Sequence, residues 1–302
     1  MIKSRVKIRQ LHAFVEVARL RSVKMAAEAL NISQPAVTKT IRELEDVLQI
    51  PLFERDGRGI RPTTQGEVFL RHAGATLTAL RQALDAVSPD FEQAGPPLRV
   101  GALPTVSARV MPKAMSRFLA EDTRTPVKIV TGENSVLLEQ LKIGELDLVV
   151  GRLASAEKMT GLSFEHLYSE QVLFVVRAGH PLLAPGANVF AGLSTFAMLM
   201  PTRDSVIRPI VEQFLIANGI SLSTRQVETV SDAFGRSFLR ATDAVWIISE
   251  GVVAGDIADG LLAALPIDTG DTRGPVGLTV RAGAMSSLPM DLLLRAIRSA
   301  VQ

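Results

Sequence analysis

Side chains that can hydrogen-bond or carry positive charge recur between residues 34 and 42. They are Gln34, Thr38, Lys39 and Arg42. Such groups match the base edges and phosphates that line the major groove of DNA. The same pattern also fits the solvated face of an ordinary helix. The neighbouring secondary structure is therefore needed to distinguish a DNA-binding helix from an ordinary solvated helix.

Apolar residues in the same stretch are spaced by four, three and four positions, which predicts one buried helical stripe. They are Val37, Ile41, Leu44 and Leu48. Residues 8–48 predict three helices, with Ser33 or Gln34 as the N-cap of the third and Pro35 in its first turn. A turn-rich basic loop at 54–62 follows as a candidate wing. We therefore predict a winged helix-turn-helix DNA-binding domain at 1–62, with the third helix entering the major groove.

The predicted DNA contacts differ in chemistry. Gln34 suits an adenine edge, Pro35 or Ala36 a thymine methyl group, and Arg42 a guanine or a phosphate. Lys39 and the wing cations are expected on phosphates. The complete predicted set is Ser33, Gln34, Pro35, Ala36, Thr38, Lys39, Arg42, Arg58 and Arg61.

A long helical pattern at 63–89 carries apolar residues at alternating steps of three and four, which predicts a dimerisation seam. The seam residues are Leu70, Ala73, Leu77, Leu80, Leu84 and Val87. Packing of this stripe against helices of its own domain is the alternative. Pro89 and Gly95-Pro96-Pro97 break the pattern, so we place a hinge at 90–97.

Short apolar runs alternate with helical patterns from residue 98 onward, which predicts an α/β domain with mostly parallel sheets. Four loops there follow predicted strands, where ligands of open α/β sheets bind. We predict a small-molecule site in these loops, with Arg203 as the partner of a carboxylate. The predicted residues are Thr105, Val106, Ser107, Asn134, Ser135, Pro201, Thr202, Arg203, Ser231 and Asp232. Individually, each polar one fits a helix cap equally well.

Composition narrows the classes of function. The chain has no cysteine, and its four histidines are isolated, so we expect no metal site, no catalytic residue and no cofactor. Residues 1–89 hold 14 Lys and Arg against 9 Asp and Glu, whereas the remainder holds 19 against 22. A basic small domain before a mildly acidic larger one suits a nucleic-acid reader. The basic N-terminus lacks an export signal and Val245 to Leu265 contains three acidic residues, so we expect a cytoplasmic protein.

Three segments closely resemble LysR-type transcription regulators. The N-terminal one runs from Ala26-Ala27-Glu28-Ala29-Leu30 through Ser33-Gln34-Pro35-Ala36-Val37 to Leu44-Glu45, followed by Pro51-Leu52-Phe53-Glu54-Arg55 and Thr63-Thr64-Gln65-Gly66. Leu141 to Gly151 and Gly179-His180-Pro181-Leu182 are similar to the effector domain of the family. Within the family, Ala102 to Ser107 and Arg42 to Asp46 look most like regulators of protocatechuate catabolism.

The resemblance implies a two-subdomain effector module like type 2 periplasmic binding proteins. Subdomain I is expected at about 98–167 and 272–302, and subdomain II at about 168–271. It also implies a homodimer or homotetramer, an activator role, RNA polymerase as a further partner and an aromatic or ring-cleavage carboxylate as effector. Relatives that sense muconate place glycine and threonine after the second strand, whereas this chain has Glu133-Asn134, which implies a different binding mode there.

Two alternative classes remain at this point. An enzyme would need chemistry for which the sequence offers no motif, such as G-x-S-x-G, G-x-x-x-x-G-K-[ST], G-x-G-x-x-G or H-E-x-x-H. A transport-type binding protein would leave residues 1–89 without a purpose. Affinity for DNA discriminates a regulator from both.

Overall fold

The computed structural model describes residues 6–57, 59–87, 97–121, 123–220, 224–284 and 286–301. Contacts divide the chain into two compact units. One comprises residues 1–97 with 139–147, and the other comprises 98–138 with 148–302.

The N-terminal unit contains three short helices, a hairpin and a long helix. In order these are α1 (Ile8–Leu20), α2 (Val23–Ala29), α3 (Gln34–Leu48), β1 (Phe53–Asp56), β2 (Gly59–Pro62) and α4 (Thr64–Ala86). Phe14 is fully buried at its centre, with its ring 5.1 Å from those of both Phe53 and Phe69. The three predicted helices and the wing hairpin are confirmed.

Local signals explain where these helices begin. The hydroxyls of Ser22 and Ser33 accept hydrogen bonds from backbone N–H groups in the first turns of α2 and α3. Thr63 does the same for α4, accepting from the N–H of Gly66 at 3.0 Å. Asn31 turns the chain between α2 and α3 with φ of 55°, a left-handed conformation that asparagine tolerates well.

The second unit contains the predicted small-molecule site and is called the effector unit below. It holds two five-stranded sheets. Strands of the first are β3 (Leu98–Ala102), β4 (Val127–Thr131), β5 (Leu148–Arg152), β6 (Leu162–Glu170) and β12 (Gly274–Arg281), in the order β4-β3-β5-β12-β6. Strands of the second are β7 (Val172–Arg177), β8 (Met198–Met200), β9 (Gln226–Glu228), β10 (Val245–Ser249) and β11 (Leu262–Ala264), in the order β11-β7-β10-β8-β9.

Helices of this region connect or cover the strands. They are α5 (Pro104–Arg109), α6 (Met111–Ala120), α7 (Asn134–Lys142), α8 (Val189–Leu193), α9 (Arg208–Ala217), α10 (Asp232–Ala241), α11 (Glu250–Ala258) and α12 (Leu288–Ala300). One core cluster of the second sheet includes Val172, Phe174, Val245 and Ile247.

The expectation of mostly parallel sheets was wrong. Among the described strands of the effector unit, four pairings are parallel and four are antiparallel. Each antiparallel pair includes β7 or β12. The physical reason is the crossing between sheets: β6 passes directly into β7 across Gln171, and β12 returns between β5 and β6. Such strands need no helical crossover, which parallel neighbours require.

Candidate DNA interface and effector cleft

The exposed face of α3 presents the predicted DNA-contacting residues together. Val37, Ile41 and Leu44 are buried on the opposite side. A shallow concavity along the exposed side is lined by Gln34, Pro35, Thr38, Lys39, Arg42, Glu43 and Asp46. Ala36 is half-buried beside it. The helix therefore offers amide, hydroxyl and cationic groups on one continuous surface.

Two acidic residues outside the predicted DNA-contacting set, Glu43 and Asp46, share this surface. Glu43 lies 3.8 Å from the guanidinium of Arg9 on α1. Since both acids lie on the C-terminal side of Arg42, they limit the region of α3 that can approach phosphates.

The wing is a two-stranded antiparallel ribbon in which Phe53 pairs with Pro62 and Asp56 with Gly59. Glu45 of α3 accepts from the backbone N–H groups of Leu52 and Phe53, at 2.7 and 3.3 Å, so it ties the start of the wing to α3. Arg61 donates to Glu54 at 2.8 Å while both side chains remain about half exposed. Arg58 lies outside the described residues.

The predicted seam on α4 divides into two halves. Leu70 and Ala73 are buried in the core of their own unit, and Leu77 packs against the same core. Leu80 is half-buried, whereas Leu84 and Val87 are 61% and 80% exposed. The alternative of packing within the domain thus applies to the first half of the stripe, because α1 covers it. The second half remains an exposed apolar surface in the single chain.

A cleft opens between the two sheets of the effector unit, where the four predicted loops converge. Its lining residues are Leu103, Pro104, Gly132, Glu133, Asn134, Pro201, Thr202, Ser205, Val206, Ile207, Thr229, Val230, Asp232, Trp246 and Ile248. The empty space, its open mouth included, is about 490 Å³. Its lining combines one aromatic face with several polar groups, a composition typical of small-molecule sites.

Of the predicted effector residues, Asn134, Pro201, Thr202 and Asp232 line this cleft. Arg203 does not line it, because its side chain is 87% exposed and lies 4.0 Å from Glu228. Ser231 serves as the N-cap of α10, accepting from the N–H of Phe234 at 3.3 Å.

The remaining predicted residues also lie outside the lining. Thr105 is buried and donates its hydroxyl to Glu170, at 2.7 Å from Oε2. Val106 is fully buried, and Ser107 lies 3.1 Å from the hydroxyl of Thr131. Ser135 is half-buried at the start of α7.

Thr105 belongs to a buried polar network beside the crossing between the sheets. Glu170 also accepts from the backbone N–H of Gly251 at 3.3 Å, and burial raises the pKa of its carboxyl. Arg152 donates to the carbonyl of Thr272, and burial lowers the pKa of this guanidinium. The hydroxyl of Thr272 in turn accepts from the N–H of Val172 at 2.8 Å. These bonds lie where the chain passes from the first sheet to the second, near Gln171, and where it returns to the first, near Thr272.

The polar groups of the cleft are largely engaged with one another. Glu133 accepts from the hydroxyl of Thr202 at 2.8 Å, which joins a loop of the first sheet to a loop of the second. Asn134 donates its amide to the carbonyl of Arg152 at 3.0 Å. Burial raises the pKa of Asp232, and Arg236 lies 4.0 Å away. The cleft thus contains two carboxylates, of which the predicted set included Asp232 but not Glu133.

Arg208 organises the loop that carries Thr202, and sequence reasoning missed it. It is 8% exposed and donates to the carbonyl of Pro201 at 2.8 Å, to Glu228 at 3.0 Å and to Glu212 at 2.7 Å. The one signal in the sequence was its position four residues before Glu212, a helical ion-pair spacing. Trp246 was also missed because it lies within an apolar strand, with no sign of which side faces a cleft.

The part of the chain that the structure describes contains no cluster of three or more metal-ligating side chains. No helix there has the length and apolar character needed to cross a bilayer. His180 shows the structural role expected of an isolated histidine, since it accepts from the N–H of Leu182 at 3.1 Å.

Comparison with known proteins covers both parts of the chain. The family model for the bacterial regulatory helix-turn-helix protein of the lysR family matches residues 8–67, and the model for the LysR substrate binding domain matches 92–302. The HTH-type transcriptional regulator PcaQ of Agrobacterium fabrum (strain C58) is 70% identical over 300 residues, which cover 99% of this chain and 96% of PcaQ. YdcI of Escherichia coli (strain K12), also an HTH-type transcriptional regulator, is 33% identical over 301 residues, covering 100% and 98%.

Solved structures of similar fold include a full-length OxyR variant from Pseudomonas aeruginosa, with a TM-score of 0.59 and 22% identity over 98% of this chain and 94% of OxyR. Full-length CbnR, solved with its target DNA, has a TM-score of 0.56 and 21% identity over 98% and 100%. These similar proteins are regulators rather than enzymes. The chain therefore belongs to the LysR family and is a LysR-type transcriptional regulator.

Proposed function

We propose that this regulator controls genes of protocatechuate or related aromatic catabolism, mainly as an activator, in response to a small carboxylate. The observation that carries the proposal is the 70% identity with PcaQ across 96% of that protein. Identity of this extent spans both the DNA-reading helix and the effector cleft, so a shared class of effector and operator is the simplest expectation.

The DNA-binding role is assigned to the exposed face of α3. Arg42 and Lys39 are exposed there beside Gln34 and Thr38, while the apolar stripe anchors the helix from behind. Base contacts are assigned to Gln34 and Arg42, and phosphate contacts to Lys39 and the wing. Because Arg61 is paired with Glu54, its phosphate contact requires that exposed ion pair to open, which costs little.

We further propose that the protein forms a homodimer, which associates into a tetramer. The oligomer binds a pseudo-palindromic promoter site, and RNA polymerase is a further partner. Leu84 and Val87 supply exposed apolar surface for self-association. The proposed division is a DNA-binding domain at 1–62, a linker helix at 63–89, a hinge at 90–97 and an effector domain at 98–302. The effector is the only small molecule in this scheme; no cofactor takes part.

The effector is assigned to the cleft between the two sheets. Trp246, Ile248 and Leu103 provide apolar surface for a ring or an unsaturated chain, and the hydroxyls of Thr202 and Ser205 provide polar contacts. Participation of Arg203 requires its exposed side chain to leave Glu228 and turn toward the ligand.

A gel-shift experiment tests the proposal. The full-length protein is titrated against DNA from upstream of its own and neighbouring genes, with unrelated DNA of equal length as the control. Protocatechuate and ring-cleavage carboxylates, each beside its methyl ester, are then added. We expect sequence-selective binding, and a change of mobility or footprint with the acids only. Equal binding to unrelated DNA would contradict the DNA assignment, and equal effects of acids and esters would contradict the carboxylate effector.

A further inference from the structure

Glu133 forms a hydrogen bond across the cleft between the two sheets of the effector unit. It follows β4 of the first sheet, and its carboxylate accepts the hydroxyl of Thr202, which follows β8 of the second. The Oε1 to Oγ1 distance is 2.8 Å, a well-formed hydrogen bond to a charged acceptor. Both residues line the cleft. The bond therefore bridges the cleft through two side chains of the protein.

The carboxylate of Glu133 faces no ion-pair partner among the described residues. Asp232 adds a second carboxylate to the same lining. An effector carboxylate placed beside Glu133 would meet a like charge in a partly buried space, where such repulsion is strong. The anion can bind at Thr202 only when Glu133 withdraws from it.

Thr202 itself is held in place for this exchange. The carbonyl of the preceding residue, Pro201, accepts from the buried guanidinium of Arg208 at 2.8 Å. The loop of Thr202 is thus braced independently of Glu133. A half-buried glutamate on the facing loop can rotate away while the Thr202 hydroxyl stays in position to donate to a new acceptor.

We propose that Glu133 is an internal surrogate for the effector: its carboxylate latches the cleft through Thr202 in the unliganded protein, and the carboxylate of the effector replaces it there. This inference rests on the proposed function for the identity of the ligand class, whereas the latch itself does not. Effector binding is then an exchange of one carboxylate for another, coupled to the spacing of the two sheets.

Trp246 provides a direct reporter of the latch. It is the single tryptophan of the chain, it is 1% exposed, and it lines the cleft. Tryptophan fluorescence of the full-length protein, quenched by acrylamide, therefore measures how readily a small solute enters the cleft in the absence of ligand. Glu133→Ala and Thr202→Val should each raise the quenching rate constant by about twofold or more, since loss of the latch shifts the population toward open forms.

Matched variants separate the latch from general damage. Thr202→Ser keeps the hydroxyl, and Asp204→Asn removes a charge from an exposed residue in the same loop that does not line the cleft. Both should quench like the wild type. Wild-type quenching in both Glu133→Ala and Thr202→Val would overturn the latch, as would equal increases in Asp204→Asn.

The exchange is tested with protocatechuate as the probe, followed by Trp246 fluorescence. Glu133→Gln keeps an acceptor for Thr202 and removes the charge, so the acid should bind about tenfold or more tightly than to the wild type, with its methyl ester unchanged. Unchanged or weaker binding of the acid to Glu133→Gln would refute the exchange. If protocatechuate binds to none of the proteins, the effector assignment fails, while the ligand-free quenching still decides the latch. If the wild-type protein does not bind the operator, the proposed function is refuted, and the ligand-free quenching result still tests the latch.

Discussion

Arg208 is the buried cation that orders the cleft loop, and its replacement by methionine should destabilise the effector unit strongly. The guanidinium donates to Glu212, to the carbonyl of Pro201 and to Glu228, at 2.7, 2.8 and 3.0 Å. Methionine preserves most of the aliphatic stem while it removes all three donors. The substitution therefore isolates the polar contribution from the packing contribution.

The magnitude follows from the environment of each bond. Removing the donor leaves the carbonyl of Pro201 unpaired, which costs about 1–3 kcal/mol where the site is buried. The carboxylates of Glu212 and Glu228 are 48% and 37% exposed, so solvent screens these ion pairs and reduces their loss to about 1 kcal/mol together. The expected net loss is about 2–4 kcal/mol. For a domain of this size, that lowers Tm by roughly 4–16 °C.

Arg298→Met is the matched control, measured by calorimetry on the full-length protein alongside Arg208→Met. Arg298 makes two hydrogen bonds to Glu165, at 2.7 and 2.8 Å, yet both side chains are more than 40% exposed. An exposed pair contributes at most about 1 kcal/mol, so its Tm should fall by less than roughly 4 °C. Equal shifts in the two variants would refute the reasoning that burial, rather than the number of bonds, sets the cost.

Three further predictions concern the other parts of the molecule. Arg42→Ala should lose about 1–3 kcal/mol of operator affinity and relax the preference for one base. Lys39→Ala should weaken binding to all sequences and reduce the dependence of affinity on salt concentration. Footprinting and gel shifts at several salt concentrations measure these effects. Leu84→Asp with Val87→Asp should weaken self-association, measured by light scattering, because the charges fall on apolar side chains that are 61% and 80% exposed in the single chain. Burial raises the pKa of Glu170 above its ordinary 4.5, so the native state binds this proton more tightly than the unfolded chain does. The free energy of unfolding should therefore fall as pH rises from about 4.5 through the raised pKa. Glu170→Gln should remove this pH dependence, as measured by urea unfolding.

Each of these three predictions has a result that contradicts it. Wild-type operator affinity in both the Arg42 and the Lys39 variants would remove α3 from the interface. An unchanged mass in solution for the double aspartate variant would show that the end of α4 takes no part in association. A pH dependence that persists in Glu170→Gln would assign the titration to another buried group.

Local patterns predicted the N-terminal unit well. The three-four spacing of Val37, Ile41 and Leu44 defines the buried side of α3 wherever that helix packs, and Ser33 marks its start. Such signals act over three or four residues, so neighbouring sequence contains them. The exposed DNA-contacting face follows by elimination.

One strand of the first sheet, β6, has no local signal in the sequence. β6 alternates in exposure and includes Glu165, His166 and Glu170, which do not resemble an apolar strand. Its partner β12 is about 100 residues away along the chain, and their register is set by contacts between them. Sheet membership at such separation depends on tertiary pairing rather than on propensity.

The amino-acid sequence alone was enough to predict the family, the order of the domains and the four loops that meet at the cleft. Packing of the folded chain selected which side chains in those loops face inward. Thr105 turns to Glu170 and Arg203 to solvent, while Glu133 and Trp246 line the cleft and Arg208 braces it from behind. A loop residue has no fixed side-chain period, so its direction follows from whichever partner satisfies its polar group in the packed protein.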